Sequence, residues 1–225
     1  MASYRAFSSK FGKCETNALN DCLEVSTLLD IGKLIEVTVK PNYKEATLYA
    51  DDEVAEKYRA FDYADITLGV DEIDSSAMTA MYGLTLTQLK DHTGVSQIVE
   101  NDSTDPNYGT YGYIYGTQKD GVKTFVVVVL HRVQFDVPED KVTTKGETVT
   151  FSTPSITGKA YPDANGEWRT RCFGIKTVAE AKAILESIAN RTGVTLTTSS
   201  SGDGDIIIPG DQVTDGEGTE EGTTT

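Results

Sequence analysis

The sequence predicts a mainly β fold with one or two flanking α-helices, and three observations lead there. Ile66, Leu68 and Val70 alternate with polar neighbours at a period of two; Asp120-Gly121 sits between two strand-like runs; and Val178, Ala181, Ile184, Leu185 and Ile188 form a stripe at helical spacing. These signals divide the 225 residues into an irregular N-terminal arm (1–29), a β domain with a C-terminal helix (30–192) and a flexible, acidic, Gly/Ser/Thr-rich tail (193–225).

The arm mixes Ser, Lys, Asn and small apolar residues without a clear period. From Lys33 onward, Ile35, Val37 and Val39 alternate with Glu36, Thr38 and Lys40, a strand that Pro41-Asn42 is expected to stop. Ala46, Leu48 and Ala50 then form a returning strand, so a hairpin is expected here, ended by Asp51-Asp52-Glu53 at a solvent edge. The strand at Ala64–Ile73 follows, and Ser75-Ser76 with Gly83 brackets a two-turn helix capped by serine. Residues 101–108 read as a turn-rich loop. Tyr111–Gly116 and Lys123–Val137 form the main hairpin, and the unbroken run Phe125–Leu130 marks a strand covered on both faces, inside a sandwich or by a neighbouring subunit. Val149 and Phe151 alternate with polar residues, and Asn165-Gly166 predicts a second hairpin turn leading into Trp168–Phe173. Thr177 and Glu180 then make a capping box for the amphipathic helix. Beyond Gly193 the chain has too little apolar material, apart from Ile206-Ile207-Ile208, to offset its ordering entropy alone.

The net charge of −15 argues against gripping nucleic acid or an anionic membrane, because both need clustered Lys and Arg. No Lys or Arg follows Arg191. Seven carboxylates lie beyond it, which leaves −8 on the body. Cys14, Cys22 and Cys172 lack C-x-x-C spacing and read as reduced thiols that fill the core. No apolar stretch has signal-peptide or membrane-span length, so the expectation is a soluble protein made in a cytoplasm.

Candidate chemistry is sparse, and the expectation is a protein that is not an enzyme, with no catalytic, cofactor-binding or metal residues and no cofactor. His92 and His131 sit in no zinc-ligand pattern; His92 reads as a loop residue and His131 as a polar strand end. Neither a G-x-S-x-G elbow, a phosphate loop nor a dinucleotide fingerprint occurs. Asp51-Asp52-Glu53 and the Gly-Asp-Gly-Asp of 202–205 lack calcium-loop spacing and read as solvated charge. Tyr108, Tyr111, Tyr113 and Tyr115 form an aromatic face that reads as sheet or subunit packing. Stacking of that face on sugar rings would make the chain a β-sandwich adhesion or carbohydrate-binding module, the alternative reading.

Several short motifs follow one another in a telling order. They are Leu48-Tyr49-Ala50-Asp51-Asp52, then Asp65-Ile66-Thr67-Leu68 with Val70 and Glu72-Ile73, and then Asp105-Pro106 before a Gly/Tyr-rich strand. Asp120-Gly121 and the apolar strand come next, followed by Val133-Gln134-Phe135 with Pro138, Thr144-Lys145-Gly146-Glu147, and Phe151-Ser152-Thr153 before Ile156-Thr157-Gly158. In these motifs, over residues 28–173, the chain resembles the major tail protein, or tail-tube subunit, of long-tailed bacteriophages (siphoviruses). The 14–22 arm, the helix after Thr177 and the acidic tail depart from that pattern.

The resemblance implies a β-sandwich or barrel of the phage tail-tube type, akin to type VI secretion tube subunits, with a flanking helix. It implies a structural virion protein that self-assembles into stacked rings, hexameric as in the family, forming the hollow tail tube for phage DNA passage. Implied partners are the chain itself, other tail proteins such as the tape measure and tail terminator, and viral DNA in transit without specific binding. No membrane is implied. The implied location is the virion tail, after assembly in the host cytoplasm. Negative charge suits a lumen along which DNA slides without counterion-release binding.

Overall fold

The computed structural model describes residues 2–15, 22–50, 53–90, 92, 94–102, 104–119, 121–139 and 153–191. Among them, ten strands and two helices follow in the order β1 (Ala2–Lys13), β2 (Leu29–Gly32), β3 (Leu34–Ala50), β4 (Glu53–Val70), α1 (Ser75–Tyr82), β5 (Thr85–Gln88), β6 (Ser96–Val99), β7 (Tyr108–Lys119), β8 (Val122–Phe135), β9 (Ser155–Tyr161), β10 (Arg169–Ile175) and α2 (Val178–Ala189). The chain is mainly β, with one large antiparallel sheet and one small one.

The large sheet has the order β2-β1-β7-β8-β9-β4-β3, with β10 beside β8. One edge of β8 is shared by two strands. Arg169 to Cys172 pair with Leu130 to Val127, whereas Gly158 to Tyr161 pair with Phe135 to Arg132. The sheet curls until β3 returns to β1, and the enclosed face packs Phe11, Ile66, Leu68, Tyr111, Val128 and Phe135. Each such side chain fully removed from water contributes roughly 1.5–3 kcal/mol.

The opposite face of β7 and β8 is covered by α2. Ile114, Val127, Val129 and Ile175 pack against Ala181, Leu185 and Ile188. Gly112 makes this approach possible, since a Cβ there would lie 3.2 Å from Leu185 Cγ. Thus the apolar run of β8 is covered on both faces within one chain: even-numbered residues from Val126 to Leu130 face the curled sheet, and Val127 and Val129 face the helix. The Glu180 amide donates to Thr177 Oγ1 at 3.2 Å, and Lys10 Nζ pairs with Glu186 at 2.8 Å, tying α2 to β1.

Several expectations are corrected. The arm is not irregular where it is described: Ala2–Lys13 is a full strand, paired to β7 over its length. Its period is broken by register shifts between Tyr4 and Ala6 and between Phe7 and Lys10, and the bulged residues Arg5 and Ser8 have φ of 54° and 59°. Pro41-Asn42 does not stop its strand. β3 runs through it to Ala50 and pairs with β4 rather than folding back, because β3 is an edge strand that tolerates a missing N–H, with a register shift between Asn42 and Tyr43.

The Asn165-Gly166 turn exists, with Gly166 at φ 79°, but β9 and β10 do not pair as a hairpin; they lie along one edge of β8. Cys14 and Cys22 are not separate thiols but a disulfide, with Cα atoms 5.1 Å apart. The cap of α1 is Asp74, which accepts from the Ser76 amide, in place of a serine. The β7–β8 hairpin, with Gly121 at φ 81°, and the left-handed Gly83 closing α1 are as expected. The strand expected around Val149 and Phe151 lies outside the described residues, as does the tail expected over 193–225.

Candidate assembly surface

The β3–β4 hairpin is supported along only part of its length. From Ala64 to Gly69, β4 is paired on both sides, to β3 and to β9, and Ile66 and Leu68 are fully buried. Before Ala64, β4 has no partner but β3 among the described residues, so residues 43–48 and 56–61 form a two-stranded ribbon leaving the body. At its base Phe61 stacks on Trp168 with centroids 4.5 Å apart, Tyr43 meets Phe61 edge-on, and Arg59 lies 4.2 Å over the Tyr43 ring.

Cross-strand partners share a face. Tyr43, Glu45 and Thr47 therefore sit with Phe61, Arg59 and Lys57, while Lys44, Ala46 and Leu48 sit with Ala60, Tyr58 and Glu56. The second face carries an apolar strip with no cover from the described residues: Leu48 is 60% and Tyr58 65% exposed. Two ion pairs brace the ribbon, Lys44–Asp62 at 2.8 Å and Arg59–Glu45 at 3.3 Å. The hydrogen bond and charge of Asp62 raise the Lys44 pKa. The outer edge of β3 is unpaired among the described residues, and a strand of that length templates pairing with another chain. The small β5–β6 sheet is a second projection, exposing Leu86, Leu89, Val95 and Val99.

The tyrosine face is chiefly packing. Tyr111 is fully buried, its hydroxyl accepts from Ser9 Oγ at 3.2 Å, and burial pushes its pKa up. Tyr113 stacks between Tyr111 and Tyr115 at centroid distances of 5.7 and 6.3 Å. With Tyr111 sealed inside, that ring is closed to the stacking that the carbohydrate-binding alternative needs. Tyr115 does reach an open cleft of about 550 Å³, with Tyr4, Arg5, Glu36, Arg171 and Phe173 among its walls.

His131 is not a strand end. It is buried within β8, its Nε2 2.7 Å from Thr170 Oγ1, and burial together with the nearby Arg191 charge pulls its pKa down to about 4. Asp163 lies in the same region, bonded to Arg191 and accepting from the amides of Asn165 and Glu167 at 2.8 Å. Burial opposes its charge, but Arg191 and the Glu167 amide outweigh that and hold the carboxyl below the usual range. The arrangement fixes the end of α2 to the β9–β10 turn.

His92 is exposed in a loop, and Cys172 is half-buried, with burial raising its thiol pKa. The side chains of Asp51-Asp52-Glu53 and of residues 202–205 lie outside the described residues. Among the described residues no group of three or more His, Cys, Asp or Glu is placed to hold a metal ion. No helix among the described residues is long and apolar enough to cross a membrane. No protein-family model matches the chain, and no curated protein matches it.

Sequence reasoning missed the ribbon because β3 was split at Pro41 and the strand read at Ala64–Ile73 starts too late to include residues 56–61 of β4. The available signal was the run of Tyr43, Tyr49, Tyr58, Phe61 and Tyr63 among charged residues, a composition suited to an interface rather than a core. The β5–β6 pair was also missed, since four-residue strands show too little of any period.

Proposed function

We propose that this chain is a structural subunit that assembles with copies of itself into stacked rings, forming a hollow tube of the type built by the tail-tube proteins of long-tailed bacteriophages. The observation that carries the reading is the β3–β4 ribbon: an ordered element with an open edge and an apolar face that the described part of its own chain leaves uncovered. A projecting ribbon is suited to reach the next subunit, and head-to-tail joining of identical subunits closes into rings. A curled antiparallel sheet with one flanking helix is compatible with the sandwich or barrel of such subunits. The net charge of −15 suits passage of DNA without capture.

In this reading the function is geometric, with no catalytic centre and no cofactor. The partners are sibling subunits, the tape measure and terminator proteins of a tail, and DNA in transit. The location is the virion tail, after assembly in the host cytoplasm. Electron microscopy of the purified protein tests the proposal: rings or hollow tubes are expected. A particle map placing this polypeptide anywhere but the shaft between head and tip overturns it.

A further inference from the structure

The strand β10 offers an open edge with an unusual charge. Among the described residues it pairs only with β8. Its Arg169 and Arg171 are close enough to repel each other, burial and Arg171 together lower the Arg169 pKa, and neither has a carboxylate partner among the described residues. Phe173 is 65% exposed at the same strand, and the cleft beside it adds Arg5 and a single carboxylate, Glu36. A site of this kind suits an extended segment that is both acidic and apolar.

The chain contains such a segment. Residues 202–211 read Gly-Asp-Gly-Asp-Ile-Ile-Ile-Pro-Gly-Asp, in a stretch with no Lys or Arg. Three consecutive β-branched residues favour a strand, and Pro209 would end it. The point of departure is suitable as well. Arg191 is held on Asp163 next to the turn that leads into β10. The 12 residues from there to Asp203 reach about 40 Å when extended, against about 23 Å for the seven residues of β10.

We infer that the acidic segment Asp203–Asp211 of the same chain docks along the free edge of β10, with its carboxylates toward Arg169, Arg171 and Arg5 and its isoleucines against Phe173. Main-chain pairing supplies the affinity, and the charge pattern supplies the register. This does not rest on tube formation, and it is read on the monomeric fraction.

Hydrogen exchange of the full chain tests the docking. Changing Ile206→Asp, Ile207→Asp and Ile208→Asp together is expected to speed exchange of the outward-pointing amides of β10 about tenfold, while β7 and β8 amides stay unchanged as the check on folding. A photo-crosslinking amino acid in place of Ile207, in a mixture of isotopically heavy and light chains, is expected to join only to β10 or Arg5 of its own chain. Unchanged β10 exchange, or crosslinks to another surface, overturns the inference. Heavy-to-light crosslinks also overturn it, by assigning the edge to a second copy. Tube formation, scored separately by microscopy, stands or falls independently of these results.

Discussion

The two halves of one hairpin differ more than any two separate elements of this protein. At the body end, Ile66, Leu68 and Val70 of β4 are fully buried beneath the curled sheet; at the far end, Leu48 and Tyr58 are more than half exposed. Backbone pairing is continuous between them, interrupted only by register shifts. The difference marks where the buried core ends along a continuous strand pair. Residues up to the Phe61–Trp168 stack hold the fold, and those beyond it contribute surface without adding to the core.

The strongest way to sharpen that contrast is to damage the body. Leu68→Ala leaves a cavity in the enclosed core and is expected to cost about 3 kcal/mol in urea unfolding. Acid is expected to act next. His131 has a folded pKa of about 4 against an ordinary value of 6.5, so the folded state binds fewer protons than the unfolded chain in that interval. Its contribution is complete above pH 6.5 and is lost as the pH falls toward 4, by up to about 3 kcal/mol. Asp163, whose pKa is lowered, adds a further loss below the ordinary carboxylate value. Unfolding midpoints between pH 7 and 4 check this, and His131→Gln is expected to flatten the profile over that interval.

Reduction of the Cys14–Cys22 disulfide is expected to cost about 2.5 kcal/mol, the chain-entropy value for a loop this short, measured by unfolding with and without reductant. The ribbon gives the smallest effect on stability. Leu48→Ser with Tyr58→Ser is expected to change unfolding by less than about 0.5 kcal/mol, because exposed substitutions away from the core seldom do more.

The same contrast explains what the sequence disclosed. The helix α2 and the alternation of Ile66, Leu68 and Val70 were legible because each combines a local rule with a buried face, and the β7–β8 turn because Gly121 supplies the positive φ that a tight turn needs. β1 was not, since two bulges displace its side chains from a period of two. The passage of β3 through Pro41 and the sharing of one β8 edge by β9 and β10 are decided by tertiary pairing, which local spacing does not encode. The disulfide was missed because cysteine count and spacing do not report that the β1 end and Cys22 meet beneath Thr110. The ribbon's alternation at Ala46, Leu48 and Ala50 is legible as a strand, but nothing in local spacing reports that this strand runs on past the core.

The most direct measurement compares the full-length protein with the Leu48→Ser, Tyr58→Ser double variant by electron microscopy and sedimentation under identical conditions. Joining of subunits through the ribbon predicts rings or hollow tubes for the unaltered chain, and a folded monomer or isolated rings with a matching unfolding midpoint for the variant. Tubes of the same length and abundance from both would contradict it.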